Sequence, residues 1–145
     1  PFNLESRGSL ATGGRPQGLL GSGRSLYVAE QADNTVSVFD LDTRRNLGRI
    51  FVGLGPMRLA DTGNQIYVSH RKATNIVALT PGQLSVFREI TNLGRTTEMV
   101  YYPTFHQLYV VDELSGGLAV IDVNANLLLG RVFFGARPDG LAVLP

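Results

Sequence analysis

Three arginines stand before three short apolar segments, and guanidinium groups at recurring positions could bind an anion. Arg15, Arg95 and Arg137 each precede a strand-like run, while Gly55 interrupts the series. Collected at the mouth of a channel they would favour carboxylate or phosphate, which the planar guanidinium grips through two hydrogen bonds. His70-Arg71-Lys72 forms a polar turn whose counterparts, Glu30-Gln31 and Asp112-Glu113, are acidic. Such alternation of charge suits a surface that contacts another protein. Arg58 and Glu98 share a further position and are expected to pair as a structural ion pair. The two histidines, His70 and His106, belong to opposite ends of their segments. No metal site is therefore expected. Neither a phosphate loop nor a nucleophile elbow nor a zinc-binding His-Glu-x-x-His is present, so no catalytic residue and no cofactor is assigned.

These side chains hang on a repeat. It reads Leu26-Tyr27-Val28 followed by Asn34-Thr35-Val36-Ser37-Val38-Phe39-Asp40. It returns as Ile66-Tyr67-Val68 with Asn75-Ile76-Val77-Ala78-Leu79, and as Leu108-Tyr109-Val110 with Gly116-Gly117-Leu118-Ala119-Val120-Ile121-Asp122. The tyrosines are 40 and then 42 residues apart. Alternation of apolar and polar residues at period two makes these runs strands, with Asn, Asp and Gly supplying the turns. Asn34, Asn75 and Gly116 are matched as the left-handed turn residues. Asp40 and Asp122 are expected to accept hydrogen bonds from turn amides.

Each repeat divides into four strands, a period that indicates propeller blades. The boundaries are 14–53, 54–93 and 94–135 for three blades. Residues 1–13 supply the outer strand of a preceding blade, including Asn3 to Thr12, and residues 136–145 the inner strand of a following one. No helix is expected. The fold class is all-β: blades of four antiparallel strands in an incomplete ring. The recurring tyrosine is expected to fill the space between blades.

Composition agrees with a packed domain. The chain has 145 residues, 43% of them hydrophobic and 17% charged, with 17 glycines spread among the turns. Net charge is +1, and the aromatic pairs lack a basic stripe, so neither nucleic acid nor membrane insertion is expected. Twelve of the thirteen basic residues are arginine. With no cysteine there is neither a disulfide nor a thiolate site. A chain that starts at Pro1 is read as a processed or excerpted product.

The pattern resembles the YVTN-type β-propeller repeat. The residues that carry the resemblance are Gly14, Pro16, Tyr27-Val28, Asn34-Thr35, Val36, Val38, Asp40 and Ile50-Phe51-Val52-Gly53, then Gly55-Pro56 and Tyr67-Val68, then Tyr109-Val110 and Asp122. Thr80 and Thr96 depart from it. The resemblance implies an extracellular or periplasmic setting. It covers interaction modules as well as lactonase-like and dehydrogenase-like enzymes, some of them with haem or quinone partners. The expectation drawn here is a non-catalytic interaction or scaffold module that completes or joins a larger propeller, its partners being other protein chains in an oligomer or larger complex. The alternative is an excerpt of a propeller enzyme whose catalytic residues lie partly outside this chain.

Overall fold

The structure, a computed structural model, describes residues 8–135 and 138. Twelve strands form three four-stranded antiparallel sheets, each built from consecutive strands. The first blade holds β1 (Pro16–Ser22), β2 (Ser25–Glu30), β3 (Thr35–Asp40) and β4 (Asn46–Phe51). The second holds β5 (Pro56–Asp61), β6 (Ile66–His70), β7 (Ile76–Leu79) and β8 (Val86–Ile90). The third holds β9 (Thr96–Tyr102), β10 (Gln107–Asp112), β11 (Gly117–Asp122) and β12 (Leu127–Phe133). One 3-10 turn, Pro103–Phe105, departs from the helix-free expectation. Pro103 opens it, its fixed φ being suited to a tight turn. Among the described residues no helix is long and apolar enough to cross a membrane.

Alternation decides which face of each sheet is buried, because successive strand side chains point to opposite sides. One face of the first blade (Tyr27, Val36, Val38, Ile50 and Val52) packs on Ile66, Val68, Val77 and Leu79 of the second. The other face of the second blade, with Tyr67, Ile76 and Ala78, packs on Leu108, Val110, Ala119 and Ile121 of the third. Two cores therefore lie between three sheets. β1, β5 and β9 run on the inside of the stack, β5 touching β1 on one side and β9 on the other. Gly18 permits this: a Cβ there would meet the Met57 carbonyl oxygen at 2.5 Å.

The turns follow the sequence with one correction. Asn34 (φ 61°) and Gly116 (φ 69°) take the left-handed conformation, while Asn75 does not. His70 heads the second hairpin where Glu30 and Asp112 head the others, so Asn75 falls in register with Thr35 and Gly117. Residue type suggested the match; ladder register places it one position on. Asp40 Oδ1 accepts from the amides of Asp42 and Thr43, and Asp122 Oδ1 from those of Asn124 and Ala125.

The strand expected over Asn3 to Thr12 is not formed over residues 8–12, and residues 1–7 lie outside the described residues. An outer strand needs the third strand of its own blade, and none lies beside Gly8 to Thr12 among the described residues. The Thr12 amide bonds the Leu10 carbonyl instead. The inner strand expected over residues 136–145 also lies outside the described residues, apart from Pro138.

Candidate functional site

Three blade joints occupy one repeat position, three residues after each tyrosine: Glu30, His70 and Asp112. All three are buried. Glu30 Oε1 accepts the Gly13 amide at 2.5 Å and the Ser37 hydroxyl at 2.6 Å, and Oε2 accepts the Thr35 hydroxyl at 2.7 Å. Arg49 Nε stands 3.5 Å from Oε2. Asp112 repeats the arrangement, taking the Gly94 amide at 2.9 Å with Arg131 Nε at 3.7 Å. Arg131 also donates to the Asn92 carbonyl. In both joints a carboxylate holds the glycine amide of the linker that enters its own blade.

His70 changes the middle joint, and the expectation that it belongs to an exposed contact turn is overturned. It ends β6 fully buried because its position is the joint position. Nδ1 lies 3.1 Å from the Asn75 carbonyl oxygen, and Nε2 has no hydrogen-bond partner. Burial holds its pKa below the ordinary imidazole value, opposed by the backbone of Asn75 and Val52 and by the charge of Glu89. Glu89 stands where Arg49 and Arg131 stand, paired across from Val77 as they are from Ser37 and Ala119. The middle joint thus sets imidazole with carboxylate where the others set carboxylate with guanidinium. Glu30, Asp112, Arg49 and Arg131 escaped sequence reasoning as site residues. The available signals were the constant three-residue step from the tyrosine and the repeated Gly48-Arg49 and Gly130-Arg131.

Of the rim arginines, Arg15 and Arg95 hold equivalent places, their carbonyls accepting the amides of Gln31 and Glu113. Both are exposed. Arg137 lies outside the described residues. The structure joins Arg95 to the other cationic turn: Arg71, Lys72 and Arg95 line one cleft of about 120 Å³ between the second and third blades. Glu113 Oε2, 3.7 Å from Arg95 Nη1, offsets part of that charge. Arg58 Nε donates to Glu98 Oε1 at 2.8 Å, tying β5 to β9 on the inner side of the stack. Both side chains are about a third exposed, 37% and 32%, which places the pair with wet ion pairs worth at most about 1 kcal/mol. Among the described residues no group of three or more His, Cys, Asp or Glu could hold a metal ion.

The tyrosines show how one blade receives the next. The Tyr27 hydroxyl accepts the Gly82 amide, in the turn between β7 and β8, at 3.0 Å. The Tyr67 hydroxyl lies 2.7 Å from side-chain amides of Gln65 and Asn126, the latter in the turn between β11 and β12. A hydroxyl carries one proton, so one of these amides presents its NH2. Burial pushes the Tyr67 pKa up, with Asp122 and Tyr101 adding to it, and the phenol stays neutral. Tyr109 reaches only Gln107, within its own blade, at 2.8 Å.

Its surroundings are equally open. Ile50 and Ile90 are 3% and 5% exposed, whereas their counterpart Val132 is 49% exposed. Val52, Leu93 and Phe134 each send their amide to the loop before the third strand, at Asn34, Thr74 and Gly116. Their exposures are 3%, 5% and 58%. β11 accordingly alternates buried and half-buried residues, while β7 is buried throughout.

No family model and no curated protein matches the chain. Solved β-propeller structures do. Hydrazine synthase of Kuenenia stuttgartiensis aligns with 94% of this chain and 40% of its own, with a TM-score of 0.78 and 17% identity. The dihydro-heme d1 dehydrogenase NirN, solved in complex with DHE, aligns with 90% of this chain and 29% of its own, with a TM-score of 0.72 and 15% identity. The computationally designed Ika4 protein aligns with 86% of this chain and 76% of its own, with a TM-score of 0.71 and 16% identity. The chain thus spans well under half the length of the first two. The likeness establishes a shared fold, that of β-propeller blades.

Proposed function

We propose that this chain is a non-catalytic interaction module that joins a larger propeller through the uncovered face of its third blade. The observation that carries this reading is Tyr109. Its two counterparts each bond the turn of a following blade, and around it Val132 and Phe134 remain exposed where Ile50, Ile90, Val52 and Leu93 are covered. An apolar sheet face of this kind marks a contact surface. The repeat resemblance is what favours an extracellular or periplasmic assembly.

Light scattering on the full-length gene product tests it. The expected mass exceeds the 15.7 kDa of this chain, through additional blades or other subunits. Val132→Arg, which sets a charge in the face, is expected to dissociate or destabilise the assembly. A monodisperse species of 15.7 kDa that Val132→Arg leaves unchanged overturns the reading.

The cleft of Arg71, Lys72 and Arg95 supplies the module with a contact for an acidic protein segment. Three cations around one depression attract carboxylates over a distance set by salt screening. A polyglutamate peptide is expected to bind it, with affinity reduced about tenfold when all three residues are replaced by alanine, roughly 0.5 kcal/mol per exposed pair. Equal affinity of the triple variant, measured by fluorescence anisotropy, removes this contact.

A further inference from the structure

The third repeat is longer than the others at one place. Six residues separate Leu20 from its partner Tyr27 and Ala60 from Tyr67, but eight separate Val100 from Tyr109. The added length forms the Pro103–Phe105 turn and His106, which takes φ 52° and donates its amide to the Pro103 carbonyl at 3.1 Å. Tyr102 and Phe105 pack with ring centroids 5.4 Å apart and hold this turn in place. The result sets His106 Nδ1 3.4 Å from the Tyr101 hydroxyl.

A cleft of about 270 Å³ opens beside this turn, where the second and third blades meet. Thr62, Asn64, Gln65, Tyr101, His106 and Asn124 line it. Its chemistry differs from that of the other clefts described. They carry Arg71 with Lys72 and Arg95, or Arg88 with Glu89, or Asp40 with Arg44, or leucines. Here three carboxamides, two hydroxyls and one imidazole converge, and no carboxylate, ammonium or guanidinium is among them. Every one of these groups can donate and accept hydrogen bonds, as every hydroxyl of a sugar does. Tyr101 adds an aromatic ring, whose face suits the C–H side of a pyranose. Gln65 already spends one end of its amide on the Tyr67 hydroxyl, which fixes that wall. At the junction of the first and second blades the loop from β1 to β2 is only Gly23-Arg24.

We propose that this cleft binds a neutral pyranose sugar. A phosphate or carboxylate ligand would enter a site without a cation, and an apolar one would take the carboxamides of Asn64 and Asn124 out of water without offering them a partner. The volume admits one ring rather than an extended chain.

The test is isothermal titration of the full chain with four sugars: methyl α-glucoside, methyl α-galactoside, methyl α-mannoside and N-acetylglucosamine. Inorganic phosphate is titrated beside them. At least one sugar is expected to bind saturably. Asn124→Ala and His106→Asn should each weaken it about tenfold, the effect of one lost hydrogen bond. Asparagine tolerates the left-handed backbone at position 106, so His106→Asn removes the imidazole without straining the turn. Unchanged melting temperatures establish that both variants are folded. The proposal is overturned if none of the four sugars binds, if phosphate binds in their place, or if both variants bind as the parent does. Because Val132 lies elsewhere, sugar binding by Val132→Arg separates this site from the reading of the open face.

Discussion

Tyr67→Ala is expected to lower the stability of the chain by about 4 kcal/mol, while Tyr109→Ala costs about 1–2 kcal/mol. The two tyrosines hold the same place in successive blades. Tyr67 is sealed between sheets, and its loss leaves a cavity plus unpaired amides at Gln65 and Asn126. Tyr109 is half-buried, and its face already meets solvent, so truncation removes less contact. Urea denaturation of the two variants measures the difference. Equal losses mean that the third blade is already covered and that the open-face reading fails. When a partner is bound, the cost at Tyr109 should rise toward that at Tyr67.

Glu30→Ala is expected to cost about 3 kcal/mol, because it strands three donors and leaves Arg49 without its carboxylate. The joint also makes stability depend on pH. Burial alone would raise the Glu30 pKa, but the bonds from Ser37, Gly13 and Thr35 and the charge of Arg49 together hold it below its ordinary value of 4.5. As pH falls, the unfolded chain takes up this proton first. The stability contributed by Glu30 is therefore whole above about pH 4.5 and is lost as pH drops through the lower folded value. Glu30→Gln should flatten that part of the acid limb in melting experiments. An unaltered acid limb, together with a loss below about 1 kcal/mol in Glu30→Ala, would show that the clamp does not form.

Much of the architecture is written locally. β2 and β3 follow from alternation within six residues, and the buried tyrosines from their recurrence. The joints are not local. Glu30 meets Gly13 and Arg49 across 17 and 19 residues, and nothing in a period-two pattern marks a carboxylate as buried. His70 misled for the same reason: a polar residue flanked by Arg71 and Lys72 reads as solvated, yet the chain turns only after it. Asn75 matched its counterparts in type and missed them in register, since hairpin pairing decides position. Arg71, Lys72 and Arg95 were legible as cations, but their shared cleft needed the stacking of two blades.

A chain built from near-identical modules risks pairing a strand of one with the sheet of another. Here the middle junction carries imidazole and carboxylate where its neighbours carry carboxylate and guanidinium. Both members of each pair sit in one blade, so exchanging β8 for β4 or β12 would set Glu89 against an acid and strand an arginine beside His70. The odd pair therefore works as an address that tells the outermost strand which sheet it closes.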